Sequence, residues 1–339
     1  MNRRPLARTG VQVSPLCLGA MMFGGWGNPD HDDGIKIIHA ALDAGINFID
    51  TADVYSRGES EEIVSKALAG RRDDVVLATK VHGTMGDDSN QFGNSRRWIV
   101  REVEDSLRRL KTDWIDLYQI HRPELDTDID ETLGALTDLV RQGKVRYIGS
   151  STFPASQIVE AQWVARERGR ERFVCEQPPY SLLARAVEAD VLPTCLRHNM
   201  GVIPWSPLAG GWLSGRWRKG ADAPDSTRAQ RMPARYDLSD PANQRKLDAA
   251  DALGKLADEA GMTLIQMALA FVINHPAVTA AIIGPRTLEQ LSSQLGADEV
   301  VLEPALLDAI DEIVPPGTNL NEVDAGWQNP ALEPAARRR

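Results

Sequence analysis

The sequence has few of the features that mark several classes of protein. Only 3 cysteines occur in 339 residues, and Cys17, Cys175 and Cys195 are widely spaced and form no C-x-x-C pair. Such cysteines are typical of reduced cytosolic thiols rather than of a disulfide framework or a zinc site. No apolar run of about 18 residues is present, and the first ten residues lack the apolar segment of a signal peptide. The sequence therefore predicts a cytoplasmic protein with no membrane-spanning helix and no metal.

Positive charge is not in excess, because 48 acidic residues outnumber 38 basic ones. The formal net charge is −10, which argues against nucleic acid as the main partner. Neither G-x-G-x-x-G nor the Walker motif G-x-x-x-x-G-K-[ST] appears, which disfavours a doubly wound nucleotide-binding sheet. Hydrophobic residues make up 42% of the chain and charged residues 25%, as in ordinary globular proteins. The composition leaves a small molecule as the expected partner.

Short apolar or β-branched segments alternate with amphipathic stretches along the chain. Eight segments read as strands, at 15–20, 46–50, 75–80, 114–120, 145–150, 172–177, 201–206 and 278–283. The amphipathic stretch after the third segment shows the helical period, because Ile99, Val103, Leu107 and Leu110 share one face. Eight strand-then-helix units predict an α/β protein with a (β/α)₈ barrel.

The barrel has three predicted additions. These are an N-terminal hairpin in "PLARTGVQVS", a helix near 302–314, and a long loop at 214–245 after the seventh strand. Long loops in compact domains are often lids. We expect one domain over residues 1–339, with the barrel core at about 15–297.

Titratable residues follow three adjacent strands of the predicted barrel. Asp50, Lys80 and His121 come at strand ends, and Tyr55 lies on the loop after Asp50. An ion pair between Lys80 and Asp50 is the simplest interpretation, because a buried lysine is almost always paired. Active sites of such barrels, however, lie at the carboxyl ends of the strands. Three such residues at one face therefore favour a catalytic site.

The chemistry of these residue types suits the reduction of a carbonyl group. A cation beside a phenol favours the phenolate, which lets a tyrosine act as a general acid near neutral pH. A neutral histidine nearby can hydrogen-bond a substrate carbonyl and fix its orientation. No side chain supplies a hydride, so the hydride must come from a cofactor.

Dispersed motifs add a resemblance to a known family. "FIDTADVYSRGESEEIVSKAL", "VVLATKV", "IDLYQIHRP", "IGSSTF", "PWSPLAGGWLSG" and "IIGPRTLEQL" resemble, in order, the successive motifs of the aldo-keto reductase family over nearly the whole chain. The resemblance implies a (β/α)₈ barrel that binds NADP(H) without a Rossmann fold. It also implies that Tyr55 is the proton donor, that Lys80 acidifies it, that Asp50 holds Lys80, and that His121 orients the carbonyl.

The same resemblance implies a cofactor site. Ser151 and Gln177 would hydrogen-bond the carboxamide and Trp205 would stack on the nicotinamide, whereas Thr152 stands where many relatives have Asn. The other implied cofactor residues are Gly19, Ala20 and Met21 beside the nicotinamide, Asp50, then Ser206, Pro207, Leu208 and Gly210 along the pyrophosphate, and Gly284, Arg286, Gln290 and Gln294 at the adenosine end. "TLEQ" also fits a capping box with Thr287 as N-cap, so Gln290 is either a cap or a ligand.

Two other functions carry similar motifs. Channel-associated β subunits resemble the same family, and a regulatory subunit that binds NADPH with little turnover would look much the same. A Schiff-base lyase with Lys80 as nucleophile is the second, which the neighbours Asp50 and Tyr55 disfavour. The sequence leaves the substrate open; Phe23, Trp26, the loop at 82–95 and the segment near Trp327 are expected to line its pocket.

Overall fold

The computed structural model describes residues 1–224 and 227–337, without the side chain of Thr227. A small hairpin comes first, with strands β1 (Arg4–Pro5) and β2 (Gln12–Val13). Eight parallel strands then form the central sheet in the described residues. They are β3 (Leu16–Gly19), β4 (Phe48–Asp50), β5 (Val76–Val81), β6 (Ile115–Ile120), β7 (Val145–Ser151), β8 (Cys175–Gln177), β9 (Gly201–Val202) and β10 (Ala281–Ile283).

Helices connect these strands and cover the outside of the sheet. They are α1 (His31–Asp43), α2 (Glu59–Ala67), α3 (Arg96–Leu110), α4 (Ile129–Arg141), α5 (Ala155–Arg168), α6 (Val191–His198), α7 (Thr227–Arg231), α8 (Pro241–Glu259), α9 (Leu264–Ile273), α10 (Leu288–Gln294) and α11 (Pro304–Ile313). Side chains cap the first turns of several helices: Asp30 accepts from two backbone N–H groups of α1, and Ser95 accepts from Trp98 N of α3. The predicted apolar face of α3 is buried, from Ile99 to Leu110.

The sheet closes into the predicted (β/α)₈ barrel. Its strand order is β10-β3-β4-β5-β6-β7-β8-β9, and Val202 of β9 pairs with Val278 just before β10. Two further hydrogen bonds join these edges, from Thr279 N to Val202 O at 2.8 Å and from Ile282 N to Pro204 O at 2.9 Å. Because all eight strands are parallel, their carboxyl ends meet at one face of the barrel. The predicted hairpin and the C-terminal helix α11 are also present.

The loop after the seventh barrel strand is shorter than predicted. Its expected end at residue 245 is wrong, because α8 begins at Pro241 and Asp240 accepts a hydrogen bond from Ala242 N at 2.8 Å. Most buried positions of α8 are alanine, glycine or polar residues, which leaves a weak apolar period in the sequence. The loop itself carries α7, and Asp225 and Ser226 lie outside the described residues. No single described helix meets the length and apolarity of a membrane span, although the bent pair α8 and α9 does so jointly.

Candidate active site

Asp50 and Lys80 form a buried ion pair at the carboxyl ends of β4 and β5. Lys80 Nζ lies 2.5 Å from Asp50 Oδ1 and 2.9 Å from the backbone oxygen of Thr51. The relative exposure of the side chains is 0% for Lys80 and 3% for Asp50. Burial lowers the pKa of Lys80, but Asp50 and Tyr55 outweigh it and the pKa is raised above the ordinary lysine value. The amine is therefore held as a cation.

The second oxygen of Asp50 is bound by two amides. Gln119 Nε2 lies 3.0 Å from Asp50 Oδ2, and Gln177 Nε2 lies 2.9 Å from the same atom. Gln119 is a site residue that the sequence interpretation missed. Its signal is a polar residue inside the apolar strand β6, where it pairs in register with Lys80. Both oxygens of the carboxylate are thus satisfied without water.

Tyr55 lies on the loop after β4, with its hydroxyl at the ion pair. Its Oη is 3.2 Å from Lys80 Nζ, and the ammonium is 4.8 Å from the centre of the phenol ring. Ser56 and Arg57, the next two residues, have positive φ angles of 49° and 56°, so the chain turns sharply there. Trp26 packs against the other side of Tyr55, with 6.0 Å between ring centres. The structure thus brings Asp50, Lys80 and Tyr55 into one cluster.

His121 stands next to Tyr55 at the end of β6. The two rings meet edge to face, with centres 5.6 Å apart and an interplanar angle of 80°. Burial, followed by the charges of Lys80 and Arg122, lowers the pKa of His121 well below its usual value. The imidazole is therefore neutral at physiological pH and has one N–H donor and one acceptor nitrogen.

A second buried charge cluster, absent from the sequence interpretation, lies behind Tyr55. Arg109 of α3 binds Glu61 at 2.6 Å and Glu102 at 2.5 Å. Burial raises the pKa of Asp53 well above its usual value, and Glu102 and Glu61 raise it further. Burial likewise raises the pKa of Glu102, to about 7. Arg109 thus joins α2 to α3.

The candidate nicotinamide residues lie at the carboxyl ends of β7, β8 and β9. Ser151 donates its hydroxyl to the backbone oxygen of Gln177 at 2.9 Å. Thr152, where the sequence departs from its relatives, has a positive φ of 59° and accepts from Trp205 Nε1 at 3.3 Å and from Arg122 Nη1 at 3.2 Å. A threonine hydroxyl thus orients the indole of Trp205. On the opposite side of the barrel mouth, Gly19 ends β3 and Ala20 and Met21 follow it, and Ala20 N donates to Asp50 O at 2.8 Å.

A narrow cleft continues from Trp205 along the loop after β9. Ser206, Pro207 and Leu208 begin this loop, and Ser206 and Gly210 have positive φ angles of 57° and 69°. The cleft is lined by Trp205, Ser206, Gly210, Arg235 and Tyr236, among others. Tyr236 donates its hydroxyl to the backbone oxygen of Gly210 at 2.9 Å, which pins the loop.

The candidate adenosine residues lie at the end of β10 and on α10. Thr287 caps α10, accepting from Gln290 N at 3.2 Å, and the Gln290 side chain accepts from Arg286 N at 2.9 Å. The side-chain oxygen of Gln290 therefore acts as a cap on the backbone before Thr287. Gln294 is buried, and its Oε1 has no hydrogen-bond partner among the described residues. A Cβ built on Gly284 meets no atom within 4 Å.

These residues fit a nicotinamide dinucleotide. The buried orphan oxygen of Gln294 can accept from an adenine amine, and the open space at Gly284 permits close approach to the backbone. The half-buried indole ring of Trp205 offers a stacking surface. Phe23, expected in the substrate pocket, is fully buried against Gly34 of α1 and belongs to the core.

Known proteins of one family are similar to this chain over most of its length. A model of the aldo/keto reductase family matches residues 15–315. The uncharacterized oxidoreductase YrpG of Bacillus subtilis is 41% identical over 94% of this chain and 98% of its own length. A probable voltage-gated potassium channel subunit beta of Arabidopsis thaliana is 35% identical over 93% of this chain and 97% of its own. Versiconal hemiacetal acetate reductase of Aspergillus parasiticus is 33% identical, with 92% and 96% of the two chains covered.

Proposed function

The chain belongs to the aldo/keto reductase family of oxidoreductases, and on this basis we propose that it reduces an aldehyde or ketone to an alcohol with NADPH. Tyr55 gives the proton to the carbonyl oxygen, Lys80 stabilises the resulting phenolate, and His121 hydrogen-bonds the same oxygen and orients it. The observation that carries the proposal is the position of Lys80 Nζ, 2.5 Å from Asp50 and 3.2 Å from the hydroxyl of Tyr55.

The positions of these groups indicate the role of each residue. Asp50 neutralises Lys80 and is held in turn by Gln119 and Gln177, so the ammonium stays beside the phenol rather than turning outwards. A preorganised cation of this kind stabilises charge that develops during the reaction without reorganising. Because His121 is neutral, it donates a hydrogen bond without adding a charge that would compete with Lys80.

NADP(H) is the proposed cofactor. When bound, the nicotinamide would supply the hydride. Ser151 and Gln177 would hold its carboxamide and Trp205 its ring, while Ser206–Leu208 and Gly210 would follow the pyrophosphate. Gln294 would contact the adenosine, and Arg286 would pair with the 2′-phosphate because a guanidinium matches phosphate oxygens.

A Schiff-base lyase is disfavoured by the state of Lys80. A nucleophilic lysine must be neutral, which requires a lowered pKa. Here the pKa of Lys80 is raised, because Asp50 and Tyr55 outweigh the effect of burial. Its ammonium also donates hydrogen bonds to three acceptors. A regulatory subunit is the second candidate function, since proteins named as potassium channel β subunits of plants and fission yeast are 33–35% identical to the chain.

The two candidates differ in turnover. We expect the protein to reduce an excess of 4-nitrobenzaldehyde over many turnovers. The loss of NADPH absorbance measures this turnover. A single stoichiometric turnover that leaves the cofactor bound would favour the regulatory subunit. No oxidation of NADPH with any member of a broad carbonyl panel would contradict the reductase. We further propose a reducing compartment such as the cytoplasm, because all three cysteines are buried free thiols.

A further inference from the structure

Arg122 lies directly after His121, at the mouth of the barrel. Its Nη1 donates to the backbone oxygen of His121 at 2.6 Å and to Thr152 Oγ1 at 3.2 Å. Its guanidinium carbon is 5.9 Å from the ring centre of Trp205. The side chain is partly buried. Arg122 therefore stands between the candidate carbonyl-orienting residue and the candidate nicotinamide residues.

The charge of Arg122 is not balanced by a neighbour. Two other arginines out of bulk solvent bind carboxylates: Arg72 lies 2.7 Å from Asp116, and Arg185 lies 2.9 Å from Glu188. The partly buried Arg4 and Arg8 instead donate to backbone oxygens, at 2.7 Å from Ile273 O and 3.0 Å from Phe173 O. Across residues 1–224 and 227–337, no carboxylate lies within ion-pair distance of Arg122, and neither Nε nor Nη2 makes a hydrogen bond. An arginine has five N–H donors in a planar fork. Most of them are left for a group outside the described chain.

The placement of this charge is costly unless an anion meets it. A partly buried cation without a counter-ion loses hydration, which hydrogen bonds to two neutral oxygens replace only in part. Burial lowers the pKa of Arg122, and Tyr55 and Glu176 oppose this shift only in part. Arg235, the other guanidinium 5.9 Å from the Trp205 ring, has Asp324 at 3.5 Å. Of these two arginines, only Arg122 is without a carboxylate.

We propose that Arg122 binds an anionic group of the substrate, so that the preferred substrates are aldehydes or ketones carrying a carboxylate. This proposal rests on the proposed function. Arg122 adjoins His121, so an anion held by its fork would fix the substrate while the carbonyl lies at Tyr55 and His121. Planar bidentate pairing with a carboxylate is the geometry that a guanidinium favours.

Matched substrates of one shape and different charge test the proposal. A nitro group has nearly the shape of a carboxylate but no net charge, so 3- and 4-carboxybenzaldehyde are compared with 3- and 4-nitrobenzaldehyde. Because a nitro group activates an aldehyde more strongly than a carboxylate does, the measure is the change in the kcat/KM ratio between wild type and variant, in which that difference cancels. Arg122→Met should lower the carboxylate-to-nitro ratio of kcat/KM by roughly 10- to 100-fold, as expected for hydrogen bonds to a charged group. Arg122→Lys should retain part of the preference.

Arg146 provides the matched control. Its guanidinium also lies near an indole, 5.7 Å from the ring centre of Trp114, but it is exposed near the start of β7, at the opposite end of the barrel. Arg146→Met removes the same charge from the protein and should leave the ratio within about twofold of wild type. Thermal melts of all variants show whether the loss of the bonds to His121 and Thr152 affects folding.

Several outcomes overturn the proposal. A carboxylate-to-nitro ratio of kcat/KM that is the same in Arg122→Met as in wild type at both ring positions would do so, which includes equal losses for both substrates. A matching loss of NADPH affinity would assign Arg122 to the cofactor instead. If wild type reduces no aldehyde, the proposed function fails separately. Arg122 is then tested by fluorescence titration of the NADP⁺-loaded protein with 4-carboxybenzyl and 4-nitrobenzyl alcohol, where equal affinity would refute its role.

Discussion

The amide of Gln177 lies 2.9 Å from Oδ2 of Asp50, the carboxylate whose other oxygen binds Lys80. The residue proposed to hold the cofactor is thus bonded to the residue proposed to hold the catalytic cation. Gln177 Nε2 also lies 3.2 Å from Gln119 Oε1, so the two amides and the ion pair form one buried network. A substitution at either end of this network should therefore change the surroundings of the Tyr55 hydroxyl.

Removal of the Tyr55 hydroxyl should abolish most turnover. Tyr55→Phe keeps the ring between Trp26 and His121 but takes away the proposed acid. We expect carbonyl reduction to fall by about 10²–10⁴-fold, the usual contribution of a positioned acid. NADPH affinity, measured by fluorescence titration, should change little. Turnover near that of wild type would exclude Tyr55 as the proton donor.

Tyr118 supplies the control for that change. Its hydroxyl is buried on β6 and has no hydrogen-bond partner within the described residues. Tyr118→Phe should therefore keep activity and should not destabilise the protein; a gain of up to about 1 kcal/mol in unfolding free energy is expected. Urea unfolding measures this change. A marked loss of stability would mean that the hydroxyl has a partner, such as buried water.

The loss of the Lys80 charge should affect both activity and stability. Lys80→Met leaves the Asp50 carboxylate buried with only two amide donors, and breaking a buried pair typically costs about 3–5 kcal/mol. The double variant Asp50→Asn, Lys80→Met removes both charges and should be more stable than the single one. Urea unfolding of the three proteins tests this order. If the single and double variants were equally stable, an unpaired Asp50 carboxylate would not be the cause of the lost stability.

The sequence predicted the proximity of Asp50 and Lys80 because both end parallel strands, whose carboxyl ends must meet at one face. It did not predict Gln119, because an inward-facing residue within a strand is recognised only from the barrel register. Arg109 and Glu61 were missed for a related reason: they are 48 residues apart, and nothing local to either marks the contact. The helix α8 was missed because alanine gives a weak apolar period. Strand-end chemistry was thus accessible from sequence, whereas the supporting network was not.

Glu176 should make stability depend on pH. It is fully buried on β8, where it accepts from Ser150 Oγ at 2.5 Å and from Phe153 N at 3.1 Å. Burial raises the pKa of Glu176 from 4.5 to about 7. The folded state therefore binds the proton more tightly, and this stabilisation is present below about pH 4.5 and is lost as the pH rises through about 7.

Glu176→Gln should remove this contribution, because glutamine keeps an acceptor for Phe153 and does not titrate. The full shift corresponds to roughly 3 kcal/mol. The unfolding free energy of wild type should fall between about pH 4.5 and 7. In the variant we expect this fall to be smaller, by an amount of that order. Urea unfolding across this range provides the measurement. Parallel curves for the two proteins would show that Glu176 titrates alike in the folded and unfolded states.

The choice of NADPH over NADH depends, in our proposal, on Arg286 at the start of α10. The 2′-phosphate is the only group that distinguishes the two cofactors, so a guanidinium there should affect NADPH alone. Arg286→Ala should weaken NADPH binding by about 1.5–3 kcal/mol, the range for hydrogen bonds to charged groups. NADH binding should hardly change, so the preference for NADPH over NADH should narrow by about tenfold or more.

A substitution at Gln294 provides the comparison that distinguishes the loss of a phosphate contact from the loss of the whole adenosine site. Its buried Oε1 lacks a partner in the described part of the chain and is proposed to meet the adenosine, which NADPH and NADH share. Gln294→Leu should therefore weaken both cofactors to a similar extent, whereas Arg286→Ala should act on NADPH alone. Fluorescence titration of both cofactors into the three proteins tests this pattern. If Arg286→Ala weakened NADH as much as NADPH, or if wild type already preferred NADH, Arg286 could not be the residue that recognises the phosphate.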